Sequence, residues 1–309
     1  MAFYSGSTTT GTNLKSDKTG FPVGTSDPSS NVEAGDMYYN SNSQKFRIYN
    51  GLGWFNVGTD ASAVYNTSGL IFDLDFGRLS GSYSDGAGIS DGTSLASSLL
   101  YTHINNQTSG VTVAVNGGSC NYGTSEGGHI TTYSNTCRIT VGGGGSPTAI
   151  GGNNGLLDTV SMSIEGWYMY HGSGRDVLVS RFGGGYGEQF NHIVDPGGQF
   201  HFNSSGVGCG GGNVDWNAFG DNVWFHAVWM YDGPSTVHRW YTNGSLAGTW
   251  SGGDGSLETD NGNGFSLFSR SDRYEDLTGK IAIVRFYNRA LSASDITSNY
   301  NAEKSRFGH

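Results

Sequence analysis

The sequence predicts an all-β protein: a two-sheet antiparallel jelly-roll sandwich preceded by a small β-meander. Short apolar runs recur at regular spacing from Thr159 onward, and Gly, Asp and Asn turns separate them. The chain has 52 glycines, which is typical of many turns, together with 13% aromatic residues, which a disordered chain would lack. The stretch 224–241, WFHAVWMYDGPSTVHRWY, contains two aromatic strand patterns joined by a turn.

Charge and hydropathy exclude several classes of partner. The formal net charge is −10 and there is no basic stripe, so we expect no nucleic acid partner. There is no apolar run long enough to span a bilayer, so we expect no membrane partner. The first residues, MAFYSGSTTT, lack the basic and apolar regions of a secretory signal. We therefore expect the chain to be assembled in a cytoplasm.

Three cysteines, Cys120, Cys137 and Cys209, leave at least one thiol unpaired. A Cys120–Cys137 bridge is possible, but free thiols in a reducing compartment are favoured. A C-x-x-C pair does not occur, which argues against structural zinc.

The N-terminal part divides into two segments. Residues 1–34 are rich in Ser, Thr, Gly and Asp and cannot bury enough surface to fold alone. They are either a floppy leader or an extended arm that orders against a partner chain. Residues 35–58 predict a small meander with strands at Met37–Asn40, Gln44–Tyr49 and Trp54–Val57. Such short strands are marginal alone and should pack on the large domain or on copies of themselves.

The main domain opens with the run from Gly69 to Phe76. A long Gly/Ser/Thr/Asn-rich region follows, to about Gly155, with strand-like pieces at Val111–Val115, His129–Tyr133 and Arg138–Val141. Residues Ser94 to His103 predict a short helix with Ser94 as N-cap.

Stronger strand patterns follow, at Val160–Tyr170, Val177–Phe182, Gln189–Val194, Gln199–Asn203, Trp224–Tyr231, Val237–Thr242, Ser245–Trp250, Phe265–Ser269 and Lys280–Tyr287. Alternation along Lys280–Tyr287 predicts Ile281 and Ile283 on one face and Ala282, Val284 and Phe286 on the other.

Two further patterns bear on how the strands are covered and joined. In Trp224–Tyr231 both alternating faces are mostly apolar, which predicts cover on each side. Asn243-Gly244 predicts a type I′ hairpin.

A C-terminal helix should begin at a cap, Ser292 or Ser294, with Ile296 and Tyr300 on one face.

Candidate catalytic residues are few. Glycosidases of this architecture place carboxylates at alternate positions of one strand, and the only alternating pair within a predicted strand is Asp73 and Asp75, on the opening strand. We therefore predict that the chain is not an enzyme and assign no catalytic residue. The eight histidines show no metal-binding spacing. His226 and His238 are candidates to face each other across a strand pair, and we expect a structural role for them.

Binding residues are expected in the loops. Calcium could be held at a loop rim by acidic side chains, for which the candidates are Asp73, Asp75, Asp272 and Asp276, although solvated loop acids are the simpler interpretation. A sugar site needs an exposed aromatic plane with polar neighbours. The candidates in Gly/Asn/Asp-rich loops are Tyr186, Trp216, Phe219, Trp250 and Tyr274, and the alternative is that each caps the end of the core.

Several motifs resemble a known family. Ser161-Met-Ser-Ile-Glu-Gly-Trp, the run from Trp224 to Gly233, Arg239-Trp-Tyr-Thr-Asn-Gly-Ser-Leu and the run from Leu277 to Ile296 are similar to the laminin-G-like, concanavalin-A-like jelly-roll family. The resemblance implies two curved antiparallel sheets over residues 68–302, with 303–309 as a C-terminal tail.

The ends of this domain resemble laminin-G-like virion proteins of tailed phages, notably those of marine cyanobacteria. The pattern in residues 35–58 resembles a small module of phage tail-fibre and appendage proteins.

The first hypothesis that follows is a structural or adhesion protein of a phage virion: a capsid decoration, knob or tail-fibre-type subunit. Residues 1–58 would attach to other virion proteins or to a neighbouring copy, and analogy with phage appendages implies a homo-oligomer, a trimer. The second hypothesis is a carbohydrate-binding module for a host cell-surface polysaccharide, and both can hold together. A polysaccharide hydrolase is the third and least favoured.

Overall fold

The structure is a computed structural model, and it describes residues 23–33, 36–42, 45–49, 54–57, 65–79, 82–90, 93–95, 100–101, 112–116, 118, 120–132, 137–142, 159–171, 176–182, 188–194, 201–204, 207–210, 221–253, 255, 257, 265–269 and 277–309. The chain divides into two compact units, Met1–Val64 and Tyr65–His309, and each is described by itself.

The first unit contains a four-stranded sheet in the order of the chain. Its strands are β1 (Val23–Gly24), β2 (Met37–Asn40), β3 (Lys45–Tyr49) and β4 (Trp54–Val57). The three predicted strands of the meander are confirmed. Strand β1 pairs in parallel with β2 and was not predicted.

A polar anchor explains why β1 joins this sheet. Tyr38 is buried, and its hydroxyl donates to Asp27 Oδ1 at 2.5 Å. Arg47 reaches the other oxygen of Asp27 at 2.7 Å. The segment after β1 is thereby fixed over one face of the meander.

The second unit contains two sheets, and the larger one has ten strands among the described residues. These are β5 (Leu70–Asp75), β6 (Gly88–Ile89), β7 (Leu100–Tyr101), β9 (Cys120–Gly123), β10 (His129–Thr132), β12 (Met162–Tyr170), β17 (Trp224–Asp232), β18 (Val237–Thr242), β19 (Ser245–Ser251) and β21 (Gly279–Tyr287). The path runs β19-β18-β17-β12-β21-β10-β9-β6, and β5 pairs with both β21 and β7.

The smaller sheet has seven strands in the order β16-β15-β14-β13-β20-β11-β8 within the described ranges. These are β8 (Thr112–Val115), β11 (Ile139–Gly142), β13 (Asp176–Phe182), β14 (Glu188–Val194), β15 (His201–Ser204), β16 (Val207–Gly210) and β20 (Phe265–Leu267). All pairings in both sheets are antiparallel. Side chains from both sheets form one buried core, so the predicted all-β sandwich is confirmed.

The aromatic stretch forms a strand with cover on both faces, as predicted. Phe225, Ala227, Trp229 and Tyr231 enter the core between the sheets. Val228 and Met230 pack on the opposite face, under the C-terminal helix α1 (Ala293–Glu303). The following hairpin turns at Asn243 and Gly244, whose φ angles of 47° and 77° confirm the predicted I′ geometry.

The helix begins where the sequence predicts. Ser292 accepts a hydrogen bond from the Asp295 backbone, and the Asp295 side chain accepts one from the Ser292 backbone, which completes a capping box. Ile296 is buried against Leu70, Tyr241 and Leu291. After the helix, Phe307 stacks on Trp167 with ring centroids 4.1 Å apart.

Alternation along β21 fails at one residue. Trp167 pairs with Ile283 and Tyr168 with Ile281, so Ala282 is an extra residue, a β-bulge. Ile281 consequently packs between the sheets while Ile283 packs beneath the C-terminal residues. The prediction that these two isoleucines share a face is therefore wrong.

The predicted helix at Ser94–His103 is also wrong. Leu100 and Tyr101 form strand β7, because they pair with Leu74 and Asp73 of the opening strand. Ser94 forms an isolated bridge with Ala114.

The preference for free thiols is corrected for two of the cysteines. Cys120 and Cys137 form a disulfide with Cα atoms 5.2 Å apart. Cys120 lies in the larger sheet and Cys137 just before β11 of the smaller one, so the bond ties the two sheets together inside the core. Cys209 lies in β16, and its side chain is outside the described part.

A search of the described residues for a helix with the length and hydropathy needed to cross a bilayer finds none.

Candidate functional site

An aromatic rim lies at the edge of the larger sheet, formed by Tyr231, His238 and Trp250 on three neighbouring strands. The register places His238 opposite both Tyr231 and Trp250. The ring centroids of Tyr231 and His238 are 4.4 Å apart, and those of His238 and Trp250 are 5.1 Å apart. Trp250 is half-buried on the outermost strand of the described sheet, whereas His238 is buried beneath it.

Backbone groups hold the turns around this rim. The amide of Gly252 donates to Thr236 O at 2.8 Å, and the amide of Gly255 donates to the Tyr231 hydroxyl at 3.1 Å. The backbone of Gly252 packs closely on the Trp250 ring, since a Cβ at this position would lie 2.2 Å from it. Any larger residue here would require the indole to move.

The rim combines apolar and polar groups. Val160 lies beside the turn at Gly233 and is 61% exposed. The Asp232 carboxylate accepts a hydrogen bond from the Ser235 hydroxyl at 2.5 Å. A partly exposed indole at the edge of a sheet is a surface on which the apolar face of a sugar can stack.

His238 is an uncharged side chain that packs against Trp250 at the rim. Burial lowers its pKa to about 4, although a hydrogen bond to the Gly252 backbone acts in the opposite direction. The imidazole under Trp250 is therefore uncharged at neutral pH.

A second polar group, the buried ionic cluster, lies on the opposite face of the sheet beneath α1. Its centre is Arg285, which is 1% exposed and donates to Asp73 Oδ1 at 2.9 Å. The guanidinium also holds both oxygens of Glu303, one of them at 3.1 Å. Trp167 donates its indole N–H to the same Glu303 at 3.0 Å.

Glu165 and His226 extend the buried ionic cluster along β12 and β17. His226 Nε2 lies 2.9 Å from Glu165 Oε1, and Asn299 of the helix donates to Glu165 Oε2 at 2.7 Å. Burial alone would raise the pKa of Glu165, but His226, Arg285 and Asn299 outweigh it and hold the pKa below its usual value. Because His226 lies in this cluster and His238 pairs with Tyr231, the suggestion that the two histidines face each other is wrong.

The two alternating aspartates of the opening strand are both engaged. Asp73 is fully buried, and its second oxygen accepts from Tyr65 at 2.6 Å and from Arg78. Burial would raise the pKa of Asp73, but Arg285 and Arg78 lower it below the ordinary value. Asp75 accepts two hydrogen bonds from Arg306, at 3.0 and 3.1 Å.

The structure describes two of the four predicted calcium ligands. Asp73 and Asp75 use their oxygens for arginine, while Asp272 and Asp276 lie outside the described residues. In the ranges that the structure describes, no three His, Cys, Asp or Glu side chains come together as metal ligands do. Calcium binding stays a prediction.

Of the five predicted sugar-binding residues, only Trp250 is described; Tyr186, Trp216, Phe219 and Tyr274 lie outside. Two residues that lie shortly after the stretches 211–220 and 270–276, Asn222 and Thr278, bond to the backbone at the end of β12. The backbone N–H of Asn222 donates a hydrogen bond to Tyr170 O at 2.9 Å, and the backbone N–H of His171 donates one to Thr278 O at 3.0 Å. Trp250 lies at the other end of the sheet, where Met162 pairs with Tyr231.

Sequence reasoning missed the buried ionic cluster. Glu165 and Arg285 each stand among apolar residues of a strand, whereas Glu303 stands among polar residues of the helix. A charged residue inside an apolar strand is the one signal that was available, since such a residue is almost never buried without a partner.

Comparisons with known proteins agree with this architecture. Residues 141–297 match the Laminin_G_3 model, described as the concanavalin A-like lectin/glucanases superfamily. No curated protein sequence is similar enough to count as a relative.

Several solved structures are similar to this chain at low sequence identity. The receptor binding domain of botulinum neurotoxin C/D mosaic serotype aligns with a TM-score of 0.52 at 12% identity, over 76% of this chain and 51% of that one. Domain 4 of a GH43 extracellular arabinanase from Geobacillus stearothermophilus, in complex with arabinotriose, aligns at 0.48 with 15% identity, over 75% and 98%. A Trypanosoma rangeli sialidase aligns at 0.43 with 12% identity, over 77% and 33%. The match thus spans about half of the toxin domain and a third of the sialidase.

Proposed function

The chain belongs to the Laminin_G_3 family of the concanavalin A-like lectin/glucanases superfamily, and from this premise we propose that it is a non-catalytic adhesion protein whose jelly roll binds a cell-surface glycan. The fold hosts many unrelated functions, so the proposal depends on particular residues. One observation carries it: Trp250 presents a partly exposed indole on the outermost strand of the described sheet, packed against Gly252 and paired with His238.

The carboxylates support a role without catalysis. A glycosidase needs one carboxylic acid with a raised pKa and a second carboxylate open to the substrate. The pKa values of Asp73 and Glu165 are instead lowered, and both side chains are buried. Their oxygens are engaged by arginine, tyrosine, histidine and asparagine. Asp73 and Glu165 therefore serve to stabilise the fold.

The proposed setting is a phage virion, in which residues 1–58 attach the chain to other virion proteins or to further copies and the jelly roll faces outward. The support is the resemblance of residues 35–58 to a tail-fibre module, together with the separate compact unit Met1–Val64. Assembly in the host cytoplasm and a trimeric state are parts of the same proposal. The Cys120–Cys137 disulfide supports a finished particle that is exposed to oxidising surroundings after assembly, because disulfides persist there.

Adhesion is tested with labelled full-length protein on intact host-type cells, with and without competing polysaccharide and chelator. We expect saturable binding that polysaccharide competes away and that Trp250→Ala removes. Tyr83→Ala is the matched control, since Tyr83 is also partly buried against the core but lies beside Tyr122 of β9. Absence of binding at micromolar concentration would contradict the proposal.

Two further assays separate the parts of the proposal. A reducing-sugar assay on bound polysaccharide should show no release, and release that Asp73→Asn or Asp75→Asn abolishes would instead support the hydrolase. Deletion of residues 1–58 should abolish incorporation into particles while the jelly roll keeps its thermal transition. Incorporation of the truncated chain would contradict the attachment role.

A further inference from the structure

We propose that the jelly roll pairs with a second copy of itself through strand β19, in antiparallel register about a twofold axis at Trp250. The larger sheets of the two copies then form one continuous sheet. This inference goes beyond the proposed function, because it concerns the assembly of the unit Tyr65–His309 and not the ligand of the rim.

Strand β19 presents a long, exposed edge. In the described part of the chain it is the outermost strand of the larger sheet, with β18 on one side and no strand on the other. It has seven residues, whereas β6 at the opposite end of the sheet path has two. Thr249 and Ser251 are exposed, and Leu246 is 55% exposed. A long exposed edge is a template for a further strand, and a very short one is not.

The backbone groups at this edge follow from the register of β19 with β18. The N–H of Gly252 donates to Thr236 O at 2.8 Å. In an antiparallel pair every second residue bonds to the neighbouring strand, so Gly252 and Trp250 bond to β18. Thr249 and Ser251 therefore direct their N–H and C=O groups away from β18. Among the hydrogen bonds between described residues outside regular pairing, none reaches these groups.

The exposed edge is complementary to itself. A twofold axis at Trp250 sets Thr249 of one copy opposite Ser251 of the other, so that the outward groups of both residues are paired. The same axis places the two Trp250 side chains next to each other. Pairs of hydroxyl residues and pairs of aromatic residues are both favourable neighbours across two strands.

The charge of the chain favours a second copy at this edge. The formal net charge is −10, yet the stretch 244–253, GSLAGTWSGG, contains no charged residue and no proline. Two copies can therefore approach along β19 without like charges opposite each other, and no proline interrupts the pairing. A charged peptide, by contrast, would gain no ion pair with this stretch.

The edge is ordered before it pairs. The hairpin that leads into β19 turns at Gly244, whose carbonyl accepts a hydrogen bond from Thr297 Oγ1 of α1 at 3.2 Å. A Cβ at Gly244 would lie 2.9 Å from the Tyr300 ring, so this turn packs directly on the helix. Because the strand is held at both ends, by α1 and by the Gly252 bond, pairing costs little conformational entropy.

The test combines sedimentation of the full-length protein, from about 1 μM to about 1 mM, with hydrogen exchange of residues 245–253 over the same range. One strand pair is a small contact, so we expect a dissociation constant on the order of 10–100 μM. The mass should double, whatever assembly residues 1–58 support. Exchange at Thr249 and Ser251 should slow roughly fivefold or more at the highest concentration.

Variants at Thr249 assign the association to β19 without altering the rim, because successive strand residues point to opposite faces and Trp250 is the next residue. Thr249→Pro deletes an outward N–H in each copy and should weaken association roughly a hundredfold or more. Thr249→Lys places two like charges near the axis and should weaken it roughly tenfold or more, which covers the case that proline perturbs the fold. Thr249→Val is the matched control: it keeps the N–H and the branched shape and should stay within about threefold of wild type.

Three outcomes would overturn the inference. The first is no association up to about 1 mM, and the second is association that neither Thr249→Pro nor Thr249→Lys weakens. The third is slow exchange at Thr249 and Ser251 that does not depend on concentration, which would mean that the chain covers its own edge. Glycan binding through Trp250 is measured separately, so each of these outcomes leaves the proposed function standing.

Discussion

Replacing Arg285 with methionine tests whether the buried ionic cluster stabilises the jelly roll. Arg285 is 1% exposed, and its guanidinium is hydrogen-bonded to Asp73 and Glu303 and lies 3.6 Å from the centroid of the Tyr65 ring. Methionine fills a similar volume but leaves two buried carboxylates without their shared cation. Breaking a buried pair in this way costs about 3–5 kcal/mol.

The expected loss is therefore about 4 kcal/mol in the free energy of unfolding. For a unit the size of Tyr65–His309, each kcal/mol corresponds to roughly 2–4 °C in Tm. We expect a fall of roughly 8–16 °C. Urea denaturation should show a lower midpoint with an unchanged m value, because the surface exposed on unfolding stays the same.

Two control variants make the result specific. Arg285→Lys keeps the charge but cannot donate in the same fork, so its loss should be smaller than that of methionine. Arg239→Met is the same substitution on a half-exposed arginine of the same sheet, and it should change stability by about 0.5 kcal/mol or less. A loss below about 1 kcal/mol for Arg285→Met would refute the reasoning.

The pH dependence provides an independent check. The native pKa values of Asp73 and Glu165 are lowered, so their contribution to stability is present above their unfolded pKa values and is lost as the pH falls through the native ones. Arg285 contributes to lowering both. The stability difference between wild type and Arg285→Met should therefore be greatest near pH 7 and should narrow below about pH 4. A difference that is constant down to pH 3 would mean that the arginine acts through packing alone.

Three further predictions concern the frame of the fold. Reduction of Cys120–Cys137, which are 17 residues apart, should lower stability by about 3 kcal/mol in a denaturation series with and without reductant; a change below about 1 kcal/mol would count against a role in closing the core. Ser292→Ala removes the helix cap and should cost about 1 kcal/mol, measured by urea unfolding, with Ser292→Thr close to wild type. Gly244→Ala places a Cβ 2.9 Å from the Tyr300 ring at a φ of 77° and should lower Tm by a few degrees, whereas an unchanged Tm would show that the turn can move.

The central strands could be predicted because two independent patterns agree there. Trp224–Asp232 is aromatic and apolar at both even and odd positions, which is typical of a strand covered on both faces, and its hairpin partner ends in Asn-Gly. The C-terminal helix was predictable for the same reason, since a cap at Ser292 coincides with an apolar pair at helical spacing. In these segments the local sequence preferences and the tertiary packing favour the same secondary structure.

The bulge at Ala282 could not be predicted, because it is a property of the pair of strands. Along β21 the sequence alternates without a break, and only the register with β12 shows that one residue is extra. The short strand at Leu100–Tyr101 could not be predicted for the same reason. The local sequence is compatible with a helix, but pairing with Asp73 and Leu74 of β5 places these residues in the sheet.

The candidate site was predictable in part. Trp250 was identified from its position near glycines, and that position leaves the indole half-exposed. The support from His238 was not foreseen, since which residue lies opposite a histidine depends on the register of β17 with β18. The disulfide was misjudged because Cys120 and Cys137 belong to different sheets, and their proximity follows from sheet packing.

The buried ionic cluster shows why a helix with modest apolar content can dock at one place on a large sheet. Apolar packing is tolerant of sliding, because one methyl contact replaces another at little cost. Glu303 can reach Arg285, and Asn299 can reach Glu165, in only one placement of the helix. Any displaced placement would take Glu303 from Arg285 and Asn299 from Glu165 while both side chains stay buried, and this penalty exceeds the gain of a few apolar contacts. The cluster therefore selects the register of the C-terminal helix.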